Sequence, residues 1–323
     1  MQSRLPLSEA SLGRHRHGCP TRGEPARDPQ GDMFMHKPKL KLSSPVSACV
    51  MFVAAHVQAQ DLPTPLQFVS QADFECRRAA GPAPQPQQLM LRQLNPVLQN
   101  QIPPQQVVLG QLEEVCVPVM KDQHLPDPQT LAIQRWIDLA CHQAQAAPIQ
   151  VDVELSHLNP VLSDLPDERV TMTRLRQLCV PVAKDQRLPP DPVRNFVRYF
   201  DLGCYELEEP TSDVQRELEL AHLNPVLREA DLADDKVRIR RARQLCVPVR
   251  KNNQDIPDAV HALVRWADFL KYRAATPEPV APLPLDIRHL NPLFAGSPDF
   301  ETVLFSPLQL MVPVAKDHQL PPD

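Results

Sequence analysis

Leu158-Asn159-Pro160, followed about 20 residues later by Leu178-Cys179-Val180-Pro181-Val182-Ala183-Lys184, decides the architecture, because Leu-Asn-Pro and then Val-Pro-Val with its following lysine occur four times. They recur at Leu94-Asn95-Pro96 with Val117-Pro118-Val119 and Lys121, and at Leu223-Asn224-Pro225 with Val247-Pro248-Val249 and Lys251. The last pair is Leu290-Asn291-Pro292 with Val312-Pro313-Val314 and Lys316. A fixed period of this length marks a repeat architecture. The boundaries fall at 61–126, 127–190, 191–257 and 258–323, here units 1 to 4.

Each unit reads as a short helix followed by strands. Asp191-Pro192 supplies a cap and an N1 proline, and Val193, Phe196, Val197 and Phe200 follow with helical spacing. Asp127-Pro128, Asp258 and Thr64-Pro65 open the corresponding segments. The segments Leu202–Leu207, Leu218–Leu223 and Lys236–Arg240 read as strands. A last strand, Leu245–Val247, is expected to end at Pro248, which cannot donate to a ladder. A polar linker such as Leu188-Pro189-Pro190-Asp191 closes each unit. The expected fold is mainly β with one short helix per unit, as a tandem array of four small domains of about 65 residues. With 38 prolines and 8 glycines, glycine-dependent two-residue hairpins are disfavoured.

The segment before unit 1 reads differently. Residues 1–34 look disordered or like an upstream mis-start. From Met35, a basic stretch with Lys37, Lys39 and Lys41 precedes an apolar run, Val46 to Val57, and small residues at Val57-Gln58-Ala59. That order is a signal-peptide pattern over 35–59, and the run is too short to span a bilayer. The chain is therefore expected to be secreted, to the periplasm, cell surface or exterior, with no transmembrane helix in the mature part. Residues 1–59 hold eight Lys/Arg and four Asp/Glu, so the net charge of −5 becomes −5 − 4 = −9 after cleavage. An acidic secreted chain is a poor nucleic-acid binder. The one basic concentration, Arg238, Arg240, Arg241, Arg243, Arg250 and Lys251, reads as a solvated strand face.

Six cysteines follow the leader: Cys76, Cys116, Cys141, Cys179, Cys204 and Cys246. Units 1 to 3 each carry one on an early strand and one before Val-Pro-Val. Unit 4 has Lys271 and Met311 there instead. Joint loss favours the pairs 76–116, 141–179 and 204–246. The rival, 116–141 with 179–204, strands Cys76 and Cys246. A domain of about 60 residues buries little surface, and a bridge over about 40 residues adds ~3–4 kcal/mol in the chain-entropy model. Unit 4 is then expected to unfold first or to lean on a neighbour.

The recurring polar residues are Asn95, Asn159, Asn224 and Asn291, with Lys121, Lys184, Lys251 and Lys316. His157, His222 and His289 also recur, with Gln93 in the first unit. The asparagines read as turn-shaping and the lysines as solvated turn residues. A row of lysines could alternatively grip an extended anionic polymer or a surface protein. The replacement of a histidine by Gln93 argues against catalysis, and no metal or cofactor site is expected. No phosphate-binding glycine loop or nucleophile elbow is present.

Leu178–Lys184 and Asp201-Leu202-Gly203-Cys204-Tyr205-Glu206-Leu207 together resemble tandem domains of uncharacterised function in secreted bacterial proteins. Those carry a Leu-Cys-x-Pro-x-x-Lys phrase and a His-Leu-x-Cys-Tyr phrase. The resemblance covers most of residues 61–323. It departs at Cys141-His142 and in the cysteine-free unit 4. It implies secretion and brings no activity with it. The expected role is a non-enzymatic structural or binding one. The alternative is a secreted hydrolase with its site at a unit junction, holding His157 or His222 beside a perturbed carboxylate.

Overall fold

Each unit begins with a short helix, and in the computed structural model these helices lead into strands that pair across the unit boundaries. The structure describes residues 62–230, 234–277 and 280–323. The leader and signal segment of residues 1–59 lie outside it. The helices that open the units are α1 (Pro65–Ser70), α2 (Pro128–Gln134), α3 (Asp191–Val197) and α5 (Asp258–Val264). Thr64 and Gln67 form a reciprocal capping box on α1, and Asp127 caps α2. In α3 and α5 the cap position is Pro190 or Pro257, so Asp191 and Asp258 sit one residue further in, where they complement the helix dipole. A short helix, α4 (Pro225–Glu229), follows Asn224 in unit 3.

The strands fall into three sets. The first strand of each unit is β1 (Asp73–Gly81), β4 (Asp138–Gln145), β7 (Leu202–Leu207) or β10 (Phe269–Ala275). The second is β2 (Gln88–Gln93), β5 (Val151–His157), β8 (Arg216–His222) or β11 (Leu283–His289). The third is long: β3 (Gln105–Lys121), β6 (Glu168–Lys184) and β9 (Asp235–Lys251). Unit 4 breaks it into β12 (Phe300–Leu304) and β13 (Pro307–Lys316). The break falls where β3, β6 and β9 shift register against their neighbours, so the same bend is made by bulges in three units and by Ser306-Pro307 in the fourth.

First and third strands alternate around a closed antiparallel ring. β1 pairs with β3, β3 with β4, β4 with β6, and β6 with β7. β7 then pairs with β9, β9 with β10, β10 with β13, and β13 returns to β1. The ring has a regular stagger. Cys116 faces Leu139, which faces Pro181, two residues beyond the matching Cys179. The same two-residue step runs through Leu202 to Pro248, through Phe269 to Pro313, and through Phe74 to Pro118. Four steps of two residues make a stagger of eight over eight strands. Barrels with this combination tilt their strands by about 36°.

Second strands work as arms that reach the unit two places away. β2 pairs with β3 of its own unit and with the end of β9. β8 pairs with β9 and with the end of β3. β5 and β11 join units 2 and 4 in the same way.

The arms join the two repeated phrases to each other. Leu94 N–H donates to the carbonyl of Pro248, Leu223 to Pro118, Leu158 to Pro313 and Leu290 to Pro181, at 2.9–3.1 Å. This corrects the expectation that proline ends the last strand. All four prolines lie inside their strands. Each sits where the ladder changes partner, and the incoming arm needs only an acceptor there.

The four units are therefore not four self-contained domains. The described residues of all four units form one compact body. Two apolar clusters serve all four units. One gathers the helices, the cysteines, Phe74, Leu139, Leu202 and Phe269. The other gathers the alternate side chains of the ring strands and the arms. Unit 4 leans on its neighbours because β13 closes the ring on β1. Low glycine content does not exclude tight turns. After each long strand, two consecutive residues take positive φ, as at Asp122-Gln123 and Asn252-Asn253. Asp and Asn tolerate that region, and here Asp122 also binds the backbone of Glu219.

Candidate functional site

The recurring lysine of every unit is buried against an aspartate that also recurs. Lys121 pairs with Asp73, Lys184 with Asp138, Lys251 with Asp201 and Lys316 with Asp268, each pair within one unit. All eight side chains are nearly inaccessible. The asparagine comes from the next unit. Asn159 Nδ2 donates to Asp73 Oδ2 at 2.8 Å, Asn224 to Asp138 at 2.5 Å, Asn291 to Asp201 at 3.2 Å, and Asn95 of unit 1 to Asp268 at 2.5 Å. Each asparagine Oδ1 meanwhile accepts from the backbone two residues on. Burial pushes the four aspartates up and the four lysines down, against the pull of the partner's charge.

The lysines are thus neither solvated turn residues nor a row of exposed cations. The strand that carries each one ends under the turn, and the aspartate of the neighbouring first strand lies directly below. The aspartates were missed in the sequence. The available signal was their recurrence, always three residues before the first cysteine position.

Cysteine sulfurs form three bridges, 76–116, 141–179 and 204–246, each across a directly paired pair of strands. The rival pairs are adjacent as well: Cys116 Sγ lies 3.5 Å from Cys141 Sγ, and Cys179 Sγ lies 3.7 Å from Cys204 Sγ. The six sulfurs run as a row along one face of the ring. In unit 4, Lys271 and Met311 face each other in the fourth place. Lys271 Nζ is fully buried and donates to Glu114 at 2.5 Å and Gln177 at 2.8 Å, tying unit 4 to units 1 and 2.

Where each arm covers a first strand, the polar chemistry differs from place to place. Over Tyr205, Gln93 donates to the phenol oxygen, and the phenol donates to Gln105. His157 stacks on Tyr272 with a 2.9 Å contact between Nε2 and the hydroxyl. His289 lies beside His142, with ring centroids 5.4 Å apart. The fourth place carries charges. Glu75 and Arg77 of β1 meet His222 of β8 and Asp235 of β9. Arg77 binds Asp235 and lies 3.1 Å from Glu75. His222 Nε2 is 3.6 Å from Glu75 and 3.8 Å from Asp235.

This is the one sequence-expected histidine brought beside a perturbed carboxylate. Burial, and then the charge of Asp235, push Glu75 well above the usual carboxylate range, although Arg77 opposes the shift. Glu75, His222 and Asp235 have ligand spacing for a metal ion. However, the Arg77 guanidinium already supplies the positive charge between the two carboxylates. The side chains of Glu75 and Arg77 are 0 % exposed and that of Asp235 only 6 %, so no substrate reaches them. A second ligand-spaced group, Cys76, Glu114 and Cys116, has its two sulfurs bonded to each other.

Two buried and two half-buried histidines stay neutral well below their ordinary pKa. Burial, together with neighbouring positive charge, lowers His142 and His222 to about 3 and His157 and His289 to about 4. In the unfolded chain each takes a proton near 6.5. The folded state takes it only near 3 or 4. Their contribution is therefore fully present above about 6.5 and is lost as pH falls through that window. Glu75 acts in the opposite sense, withdrawing stability as pH rises through its unfolded value. For His222→Gln, which copies Gln93, the stability of the wild type relative to the variant should fall steadily from pH 6.5 to pH 4. At about 1.4 kcal/mol per pKa unit, the fall is a few kcal/mol. Urea melts across that range would measure it. A flat difference would show that His222 titrates normally.

Compared with known proteins, the chain matches no family model, no curated protein and no solved structure.

Proposed function

We propose that this chain is a secreted, non-enzymatic protein with a binding or structural role outside the cytoplasm. One observation carries the reading. The polar residues that recur in every unit are buried and bonded to one another, which leaves none of them for catalysis. Three disulfides support an oxidising compartment, since such bridges persist there. Among the described residues no helix is long and apolar enough to cross a membrane. The leader pattern at 35–59, and the resemblance to domains of secreted bacterial proteins, point to the same compartment. The lysine row as a grip for a polymer is withdrawn, because its charges are internal.

The hydrolase alternative would draw on His222 beside Glu75. Its weakness is access, since that cluster is closed on every side.

Intact mass of the exported protein, alkylated before and after reduction, tests the reading. The expected result is a chain shortened near Ala59 that takes up alkyl groups only after reduction, six in number. A full-length chain retained in the cell with free thiols would remove the compartment argument.

A further inference from the structure

The ring repeats one surface position four times, at the junction between each unit and the next, and the charges there differ. In the long strand the positions are three and five residues before the second cysteine place. On the facing first strand the position is two residues after the first cysteine place. Units 2 and 3 put Arg174 and Arg176 opposite Glu206: Arg174 binds it at 2.5 Å, and Arg176 lies 4.0 Å from it while bonding Glu113 of unit 1 at 2.9 Å. Units 1 and 2 put Gln111 and Glu113 opposite Gln143, which bonds Glu113 at 2.8 Å. Units 4 and 1 put Ser306 and Leu308 opposite Arg78, whose guanidinium covers Phe305.

Units 3 and 4 break this balance. Arg241 and Arg243 on β9 stand as Arg174 and Arg176 do, but the place of Glu206 is taken by Arg273 on β10. Together with Arg240, these three line a surface hollow of about 420 Å³. Asp213 is the one carboxylate in its lining, and it already accepts both hydrogen bonds of Arg240. Arg241, Arg243 and Arg273 are exposed and have no ion-pair partner among the described residues. Guanidinium groups cannot shed their charge, so the repulsion is permanent in the empty hollow. The fold does not require it, because the junction one unit earlier solves the same geometry with a glutamate.

We propose that this hollow is a binding site for a small ligand bearing two or more oxyanion groups, such as a polycarboxylate or a phosphate compound. Arginine forks match the planar carboxylate and the phosphate edge. The volume lies within the range of small-molecule sites. The ligand supplies the negative charge that Glu206 supplies at the related junction. This deepens the binding reading by naming a ligand class, yet it can fail alone: a secreted, three-bridge protein that ignores anions would overturn only this site.

Calorimetric titration of the exported protein, with all four units, against citrate, inorganic phosphate and sulfate tests it. At low ionic strength, saturable binding of citrate is expected, tightest among the three and weakening as salt is added. Arg273→Glu should weaken it at least about tenfold, since the new carboxylate competes for the same two arginines. The variant should melt no lower than the wild type, because Glu206 already occupies the equivalent place. Absence of saturable binding by all three anions would overturn the proposal, as would an Arg273→Glu variant that binds like the wild type.

Discussion

Removing one bridge whole, as Cys141→Ala with Cys179→Ala, should lower the free energy of unfolding by about 4 kcal/mol. The loop it closes spans 38 residues, and the other two span 40 and 42, so each contributes similarly. Total stabilities are commonly about 5–15 kcal/mol. The variant lacking all three bridges should therefore have a far lower unfolding midpoint than any single-bridge variant. Whole bridges must be removed, because a lone thiol would lie near a neighbouring disulfide and exchange with it: Cys116 and Cys141 are 3.5 Å apart. That proximity also means that the losses will not add. Guanidinium melts followed by circular dichroism give the answer. If the chain without bridges keeps a transition near the wild-type midpoint, the ring is stabilised by its pairing and cores, and the bridges are incidental.

Asp138→Ala should cost about 3–5 kcal/mol, more than its small side chain suggests. The substitution leaves the Lys184 ammonium buried without a counter-charge and strips a bond from Asn224 of the next unit. The double variant Asp138→Leu with Lys184→Met removes both charges together. It should recover most of the loss, since an apolar pair of similar volume is often as stable as a buried ion pair. Urea denaturation of both variants separates the two contributions. A loss below about 1 kcal/mol for Asp138→Ala would mean that Lys184 has an escape to water or sheds its proton without penalty.

The repeat, the presence of a short helix opening each unit, the strand content and the paired replacement of cysteines at Lys271 and Met311 were all legible in the residues. The Leu-Asn-Pro and Val-Pro-Val phrases announced themselves, but not that they bond to each other. A strand that pairs within its unit and one that pairs with a neighbour carry the same alternation of side chains. Periodicity therefore cannot say that β2 reaches β9 or that β13 returns to β1. Burial of Lys121 and its equivalents was hidden for a related reason. A lysine after a strand and before Asp-Gln reads as a turn residue until the aspartate of the first strand is seen beneath it. The four cover positions were half visible. His157, His222, His289 and Gln93 stood out as a set, but their partners Tyr272, Glu75, His142 and Tyr205 come from units two places away. The basic run at Arg238–Arg243 was visible as a run. Its contrast with Glu206 needed the register of β6 with β7 and of β9 with β10.

A stagger of two residues per unit has a consequence for how such a chain can change through time. Open solenoids lengthen or shorten by whole repeats, because each copy meets only its neighbours. Here the ring closes with four copies, and every arm pairs with the unit half a turn away. A fifth copy would find no vacancy, and a chain of three would leave an arm unmatched. Adding or losing a single copy would break these arm pairings. Individual copies can still differ in place, as one junction holds a glutamate where the next holds an arginine.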